Sequence, residues 1–494
     1  MNKINSEFEI ENGKLVAYTG NAEKVIIPDG VTSIGSNAFG RNERIREVHL
    51  PDSVKEIESV AFAGCSELAE INLQSVKKIG TKAFSACGIE QVAIWCGTSI
   101  GEEAFGSCRN LKCVSIGTTA TLNPYLENDD TNEDWKHIAN FAFSGCKNLK
   151  SVTINEEIKE IGEYAFFGCE RLTEINMPNT LTHIGKNAFE HSGLETVKIP
   201  NTVSEIPDYA FANCEKLHIV QIPCVNIGVC AFHNCLNLSE IQFTNATPNP
   251  ISIGEKAFFR SGIRSFKTSR YINNIGSSAF SNCACITSVS LPDTLETINA
   301  DTFSGCIRLQ DIKLPKNLKE IGASAFCMCE KLEKIDIPDS VTKIGKNAFS
   351  YTGIKKLSVL KNVKTISERA FANCKNLIEV NISDIEVLEH HAFENCTDLK
   401  EVTINSNVLT KICNCTFENC ENISKFIIPD GVEIIEWNAF ALCSALEQVD
   451  FPKALKSIDE KAFIGCTNLK EITLPNQTEY CQNTFEPNVK INKN

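Results

Sequence analysis

One motif recurs along the whole chain at a nearly constant spacing. Its clearest copy, residues 332–349, reads Leu-Glu-Lys-Ile-Asp-Ile-Pro-Asp-Ser-Val-Thr-Lys-Ile-Gly-Lys-Asn-Ala-Phe. The final Phe marks twenty copies, nearly all 21 to 24 residues apart: Phe39, Phe62, Phe84, Phe105, Phe143, Phe166, Phe189, Phe211, Phe232, Phe258, Phe280, Phe303, Phe326, Phe349, Phe371, Phe393, Phe417, Phe440, Phe463 and Phe485. Such a period is typical of stacked units, none of which can bury its apolar residues alone. The chain is therefore predicted to be a solenoid.

Apolar and small residues keep the same register in each copy. The residue five before the Phe is Ile in eighteen copies, and the residue just before the Phe is Ala in seventeen. Cys stands three residues after the Phe in fifteen copies, while Ser192, Ser261 and Thr352 stand there in three others. This exchange indicates a size requirement, since a free Cys behaves as a small buried hydrophobe.

Each copy contains two extended segments. The run Leu-x-x-Ile-x-Ile alternates apolar and polar residues, which predicts a strand with one buried face, and it usually ends in Pro. The second segment ends at Ile-Gly, four residues before the Phe, where Gly occurs in ten copies and Pro207 or Ser367 in others. Because Pro holds φ near about −65°, this segment is predicted to be short and extended rather than left-handed.

The pattern resembles the BspA-type, or Treponema-type, leucine-rich repeats of bacterial surface proteins and some protists. The resemblance covers approximately residues 24–485. It implies a leucine-rich-repeat solenoid of about twenty coils with a parallel β-sheet on the concave face. Short second strands and turns or 3-10 corners are expected on the other side. The family consists of adhesion and interaction proteins, and its motif brings no catalytic residues.

We predict a single repeat domain between two short terminal segments. Residues 1–23 form a cap hairpin, because Asn-Gly between two short apolar runs is a strong hairpin signal. Residues 24–485 form the solenoid, with insertions at 117–134 and 244–250, and residues 486–494 are a C-terminal tail.

The first insertion is the most individual part of the sequence. Its acidic residues Asp129, Asp130 and Asp134 are candidate binding residues, because loops that project from a rigid scaffold often carry function. The alternating oxygens from Asp130 onward resemble the start of a calcium loop. That loop, however, would need Gly at Trp135 and Glu at Phe141, which favours a solvated acidic loop. Trp135 occupies an apolar column and is predicted to lie in the core.

Composition limits the partners and leaves the compartment open. A net charge of −14 and a pI near 5.2 argue against nucleic acid and against anionic membranes as partners. No stretch is long enough to cross a membrane, so no membrane insertion is expected. The chain is predicted to be a monomer. The 24 Cys residues and the absence of a signal sequence at the N-terminus indicate the cytoplasm, whereas the family resemblance implies the cell surface.

Short motifs that could carry chemistry are better explained by the repeat. Gly97-Thr-Ser-Ile-Gly101 matches the nucleophile-elbow spelling but forms the Ile-Gly segment of a coil. The Cys-x-Cys pairs that begin at Cys283, Cys327 and Cys413 lack the second pair or His that zinc sites require. His390-His391 is expected to face solvent. We therefore predict no catalytic residues, no metal site and no cofactor.

The candidate partner-binding surface is the row of non-core residues in the strands, which is expected to line the concave face. The first exposed column is rich in Glu and the second in Lys, Thr, Ser and Asn. An alternative is that these columns only pair across strands and keep the sheet soluble. The candidate residues are Glu47, His49, Glu174, Asn176, Asp311, Lys313, Lys334, Asp336, Glu379 and Asn381.

The resulting functional prediction is a non-enzymatic module that binds a macromolecular partner, a protein or a glycan. Its finer form is adhesion to host or neighbouring cells. A cytosolic scaffold and a purely structural spacer are alternatives. A further alternative is an enzyme acting on polysaccharides through the Glu column, although these Glu residues recur in each coil instead of clustering at one place.

Overall fold

The computed structural model describes residues 7–118, 133–223, 225–244, 250–267, 271–357 and 359–494. Asp129 and Asp130 lie outside these ranges. The described residues form strands and turns, with the 3-10 helix Asp134–Lys136 as the one helix among them. The predicted leucine-rich-repeat solenoid of about twenty coils is confirmed, and its corners are turns. Two compact units, Met1–Thr247 and Pro248–Asn494, divide the chain within the second insertion.

One strand of a coil carries the Leu-x-x-Ile-x-Ile run and pairs in parallel with the equivalent strand of at least one adjacent coil. We call these the long strands. In the first unit they are Lys24–Ile26, Glu47–His49, Glu70–Ile71, Gln91–Trp95, Cys113–Thr118, Ser151–Ile154, Glu174–Ile175, Thr196–Lys198, Ile219–Ile222 and Glu240–Phe243. In the second unit they are Ser265–Lys267, Ser288–Ser290, Asp311–Lys313, Lys334–Ile335, Lys356–Leu357, Glu379–Ser383, Glu401–Asn405, Lys425–Ile427, Gln448–Asp450, Glu471–Leu474 and Lys490–Lys493.

A short strand in each coil ends at the Ile five residues before the Phe, or at the residue that replaces it, and also pairs in parallel. The short strands of the first unit are Ser33–Ile34, Glu56–Ile57, Lys78–Ile79, Ser99–Ile100, His137–Ile138, Glu160–Ile161, His183–Ile184, Glu205–Ile206 and Asn226–Ile227. Those of the second unit are Ile251–Ile253, Ile272–Ile275, Thr297–Ile298, Glu320–Ile321, Lys343–Ile344, Thr365–Ile366, Val387–Leu388, Lys411–Ile412, Ile434–Ile435, Ser457–Ile458 and Glu479–Tyr480.

An antiparallel hairpin precedes the first coil. Its strands are Phe8–Glu11 and Lys14–Tyr18, and the second of them pairs in parallel with the first short strand. The turn residue Asn12 has φ 49° and the Gly after it has φ 80°, the left-handed values that a tight hairpin turn requires. The ring of Tyr18 lies 5.1 Å from the ring of Phe39. The hairpin therefore packs directly on the apolar end of the first coil.

The marker Phe side chains form a stack along the core of each unit. Each is at most 5% exposed. Neighbouring rings within a unit lie 4.7 to 5.5 Å apart, with planes inclined by 2° to 15°. This spacing matches the separation of adjacent parallel strands, about 4.8 Å. A ring in the interior of a unit therefore gains burial and aromatic contact from both neighbouring coils.

The Cys column does more than the sequence predicted. In all fifteen copies the Cys Sγ donates a hydrogen bond to the backbone carbonyl oxygen of the marker Phe one coil earlier, at 3.0 to 3.3 Å. In three copies Ser192, Ser261 or Thr352 replaces the Cys. Their hydroxyls lie 3.2 to 3.3 Å from the Sγ of the Cys at the same position in the next coil. The same carbonyl oxygens also accept backbone N–H groups, for example that of Phe62 from Cys65 at 3.1 Å, so the thiol bond is an additional contact between coils. The column thus holds small side chains that can hydrogen-bond, and size alone was an incomplete explanation.

We call the fifteen Cys residues that stand three after a marker Phe the ladder Cys. Exposed thiols elsewhere in the chain should react with an alkylating reagent far faster than the thiols of the ladder Cys. We expect a water-soluble maleimide at pH 8 to modify Cys113, Cys285 and Cys481, which are exposed. The ladder Cys are buried, and burial raises the pKa of Cys214 to about 12 and that of Cys374 to about 11. Peptide mass spectrometry after brief labelling checks this, with labelling in denaturant as the control. Ladder Cys labelled as fast as Cys481 in the folded protein would contradict the prediction.

Two left-handed turn positions in each coil were missed from the sequence. The residues two before and two after the marker Phe have positive φ in nineteen of the twenty copies, at 53° to 79°. The predicted negative φ at the Ile-Gly position is confirmed, since none of those Gly residues has a positive φ. In many copies the residue two after the Phe is Asn or Gly, for example Gly64, Asn213, Asn395 and Gly465. That enrichment was the available signal, because Gly and Asn adopt this conformation most readily.

Trp135 is not a core residue. It lies in the 3-10 helix Asp134–Lys136, which contains no fully buried side chain, and it is only half-buried. The ammonium group of Lys136 lies 5.8 Å from the centre of its ring. The insertion places this residue in a helical turn, where the equivalent residues of regular coils, such as Val31 and Val341, are buried at the corner.

Candidate functional site

The exposed side of the long strands presents polar side chains in columns. We call this surface the long-strand face. In the strand Glu47–His49 the central Val48 is buried, His49 is exposed and Glu47 is partly exposed. Glu47 pairs in register with Lys24 on one side and Glu70 on the other. The parallel register therefore aligns equivalent residues of successive coils into continuous columns.

Glu47 and His49 interact with each other. His49 Nε2 lies 2.6 Å from Glu47 Oε1, and the ammonium of Lys24 donates to the same oxygen at 2.9 Å. The hydrogen bonds from Lys24 and then His49 lower the pKa of the Glu47 carboxyl. These two residues also border a shallow depression of about 480 Å³ that includes Glu70 and Asn72. Since its carboxylate is already paired, Glu47 has limited capacity for a partner.

Asn176 is used by the sheet itself. Its side-chain amide donates to the carbonyl oxygen of Ile154 at 2.6 Å, and its side-chain oxygen accepts from the backbone N–H of Ile154 at 2.7 Å. Asn72 makes the same pair of bonds to Leu50 at 2.9 and 2.7 Å. An Asn after a long strand thus extends the ladder where the main chain leaves it. Glu174, two residues earlier, remains exposed.

The six candidates in the second unit lie on or directly after three long strands, Asp311–Lys313, Lys334–Ile335 and Glu379–Ser383, and the strand Lys356–Leu357 separates the last from the other two. Asp311 and Lys313 are exposed and make no ion pair among the residues that the structure describes. Lys334 and Asp336 lie 3.3 Å apart, with side chains 78% and 76% exposed. Glu379 accepts a hydrogen bond from Asn381 at 2.7 Å. These residues form a mixed-charge surface in which Lys334 pairs with Asp336 and Glu379 with Asn381, while Asp311 and Lys313 make no ion pair among the described residues.

The described end of the acidic insertion is held by ion pairs. Glu133 contacts the ammonium of Lys136 at 2.7 Å and that of Lys159 at 3.0 Å. Hydrogen bonds from these two lysines lower the pKa of Glu133 to about 2. Asp134 begins the 3-10 helix. The role of the acidic loop remains a prediction, since its centre lies outside the described residues.

Coil stacking also brings together side chains that the sequence analysis did not associate. His390, Cys413 and Glu436 each place a potential metal-ligating atom within 4.8 Å of the other two, and so do His391, Cys415 and Glu418. The prediction that the His pair faces solvent is wrong for His391, whose side chain is 24% exposed. The members come from different coils, so no spacing in the sequence signals them.

The repeat pattern of the chain matches the model of a known repeat family. A model of the BspA type leucine rich repeat region, built of six copies, matches residues 12–126, 136–250, 251–378 and 369–492. The chain belongs to the BspA-type leucine-rich repeat family. Leucine-rich repeat proteins are generally protein-interaction modules, and the family is typically non-enzymatic. A comparison with curated proteins found no match.

Solved structures of bacterial leucine-rich repeat proteins are similar to this BspA-type chain. A leucine-rich repeat protein from Bacteroides ovatus is 22% identical, with 97% of this chain and 87% of that one covered and a TM-score of 0.37. A leucine rich cell surface protein from Faecalibacterium prausnitzii is 21% identical, with 94% and 90% covered and a TM-score of 0.27. The pneumococcal vaccine antigen PcpA is 16% identical, with 89% and 91% covered and a TM-score of 0.30. These likenesses concern the fold.

No helix among the described residues is long and apolar enough to cross a bilayer.

Proposed function

We propose that this BspA-type protein is a non-enzymatic interaction module that binds a protein partner through its long-strand face. The finer proposal is adhesion, in which the partner belongs to the surface or matrix of host or neighbouring cells. The observation that carries the proposal is the mixed-charge surface of the second unit, formed by Asp311, Lys313, Lys334 and Asp336.

The exposure and charge of this surface support a role in binding. Charged groups that the fold already uses, such as Glu47, have little to offer a partner. By contrast, Lys334 and Asp336 are both more than three-quarters exposed, and an exposed ion pair contributes little to stability. Charges arranged in rigid columns can instead steer a partner of complementary charge and set its register. The backbone that presents them is held by parallel pairing and a buried core.

A charge-reversal variant tests the long-strand face. The double variant K313E/K334E is expected to lose more than about tenfold in affinity for the partner, equivalent to about 1.4 kcal/mol. The reversed charges at these two positions would repel the partner groups that complement Lys313 and Lys334. The partner is first sought by probing immobilised extracellular-matrix proteins, cell-surface proteins, intracellular proteins and glycans with the purified chain. Affinity is then measured by surface plasmon resonance.

The matched control is K343E/K319E, which makes the same charge change on the short-strand side. Both lysines there are exposed and paired with Glu, Lys343 to Glu320 and Lys319 to Glu296, each at 2.8 Å. The control should bind like the unmodified protein. Equal binding by both double variants would overturn the role of the long-strand face. Binding restricted to intracellular proteins would replace adhesion with a cytosolic scaffold.

A further inference from the structure

Two turn positions in adjacent coils of the second unit hold four potential metal ligands. His391 and Cys415 stand two residues before their marker Phe, and Glu394 and Glu418 stand one residue after it. In the coil before, the same positions hold Arg369 and Ala372, and in the coil after they hold Asn438 and Ala441. The donors are therefore concentrated where these two coils meet.

The backbone of the turns places these four side chains side by side. His391 and Cys415 both have left-handed backbones, with φ 59° and 54°. The backbone N–H of His391 donates to the carbonyl oxygen of Asn414 at 3.0 Å, and that of Asn395 donates to the carbonyl oxygen of Glu418 at 2.8 Å. The two turns are thus joined on both sides of the cluster.

Three of the side chains place their ligating atoms close together. His391, Cys415 and Glu418 each place a ligating atom within 4.8 Å of the other two. Glu394 borders the group on the side of His391, since its Oε2 lies 3.2 Å from Nδ1 of that residue. That nitrogen is buried and has no hydrogen-bond partner, because its contact with Glu394 lacks hydrogen-bond geometry. A buried polar atom without a partner is costly, and a cation at this point would satisfy it.

The charge and chemistry of the group suit a divalent cation. One imidazole nitrogen, one sulfur and two carboxylate oxygens are ligands that zinc accepts in tetrahedral sites. With the thiol deprotonated, the four side chains carry a charge of about −3, which Arg369 reduces through its Nη1, 3.8 Å from Glu394. Cys415 is 1% exposed, whereas His391 and Glu394 are 24% and 18% exposed. The group is therefore closed towards the core and open on one side.

The neighbouring group is less suitable. In the set of His390, Cys413 and Glu436, the carboxylate of Glu436 already accepts from the ammonium of Lys411 at 2.9 Å and from the backbone N–H of Asn414 at 3.0 Å. A metal ion there would have to displace a lysine and would be repelled by its charge. This set provides a matched control, because it offers the same three ligand types, His, Cys and Glu, beginning at the adjacent His390.

We propose that His391, Glu394, Cys415 and Glu418 form a binding site for a divalent transition-metal ion of the zinc class. The ion would join two adjacent coils, so its binding is linked to the stability of this part of the solenoid.

Cobalt titration of the reduced, metal-free full chain tests the site. We expect one equivalent of Co²⁺ to produce a cobalt–thiolate charge-transfer band that Zn²⁺ abolishes by competition. C415S should remove the band, and E418Q should weaken binding by more than about tenfold, the lower bound for disturbing even an outer-shell partner. C413S should leave the band and the stoichiometry unchanged. A band that survives C415S, or that disappears in C413S alone, would overturn the assignment.

A measurement on the unmodified protein keeps the test independent of variant folding. Hydrogen exchange with and without Zn²⁺ should show slower exchange of amides in residues 389–396 and 413–420. Residues 299–306 form the equivalent turn of a distant coil in the same unit and should be unaffected. No change at residues 389–396, or an equal change at both places, would count against a specific site.

Discussion

Replacing Phe326 with Ala is expected to lower the free energy of unfolding by about 3–5 kcal/mol, the usual cost of removing a buried aromatic side chain. Phe326 is fully buried in the stack of the second unit. Its ring lies 5.5 Å from that of Phe303 and 5.3 Å from that of Phe349, with nearly parallel planes. The variant therefore opens a cavity between two coils and removes two aromatic contacts. Chemical denaturation followed by circular dichroism measures the effect.

The matched control for this prediction is F485A at the end of the stack. Phe485 stacks on Phe463 at 5.2 Å and contacts Tyr480 edge-on at 5.9 Å, and it is 5% exposed. Because the control lies in the last copy, its loss should be smaller and confined to the end of the unit. Repeat arrays can unfold in parts, so hydrogen exchange should accompany denaturation. Equal losses in both variants, with the same exchange pattern, would show that stacking within the array does not matter.

Replacing Gly193 with Ala is expected to destabilise the protein by about 3 kcal/mol, at the upper end of the cost of overpacking a core. A Cβ atom at Gly193 would lie 2.3 Å from the carbonyl oxygen of Glu170 and 2.9 Å from its carbon. These are backbone atoms of the preceding coil, so the clash cannot be relieved by a side-chain rotation. Thermal and chemical denaturation of the purified variant measure the loss.

Gly168 provides the control, because its requirement is different. It has φ 68°, and a Cβ atom there would meet no heavy atom closer than 3.8 Å. The equivalent positions of other coils hold Asn213 and Asn395 at φ 59° and 58°. G168N should therefore cost less than about 1 kcal/mol, since Asn tolerates this conformation. If G193A lowered the free energy of unfolding as little as G168N, the two coils would have to move apart at this corner at little cost. That result would contradict the close approach observed.

The repeat was readable from sequence because its main causes are local. The Leu-x-x-Ile-x-Ile alternation predicts a strand within a few residues, and the same residues are buried strand positions in the structure, such as Ile312. The core columns of the marker Phe, the Ala before it and the Cys three residues after it were predicted from their recurrence alone. The left-handed turns were missed because Arg41, Met328 and Leu442, which adopt them with φ 59° to 61°, do not belong to the residue types that usually signal this conformation.

The candidate surface was only partly readable. The two exposed columns were predicted, but the use of each side chain depends on its neighbour one coil away. Asn176 is bonded to the backbone of Ile154, whereas the exposed side chain of Lys313 makes no ion pair among the described residues. Both occupy the same kind of position in the strand pattern.

Sequence by itself determined the coil: its length, its two strands, its core columns and the family to which the chain belongs. Tertiary structure decided what happens between coils, including the thiol hydrogen bonds, the contact of Gly193 with Glu170, and the meeting of His391 with Cys415 and Glu418. The physical reason is that residues facing each other in a parallel stack are separated by a whole coil of sequence. Their contacts arise from strand register, which only the assembled solenoid provides.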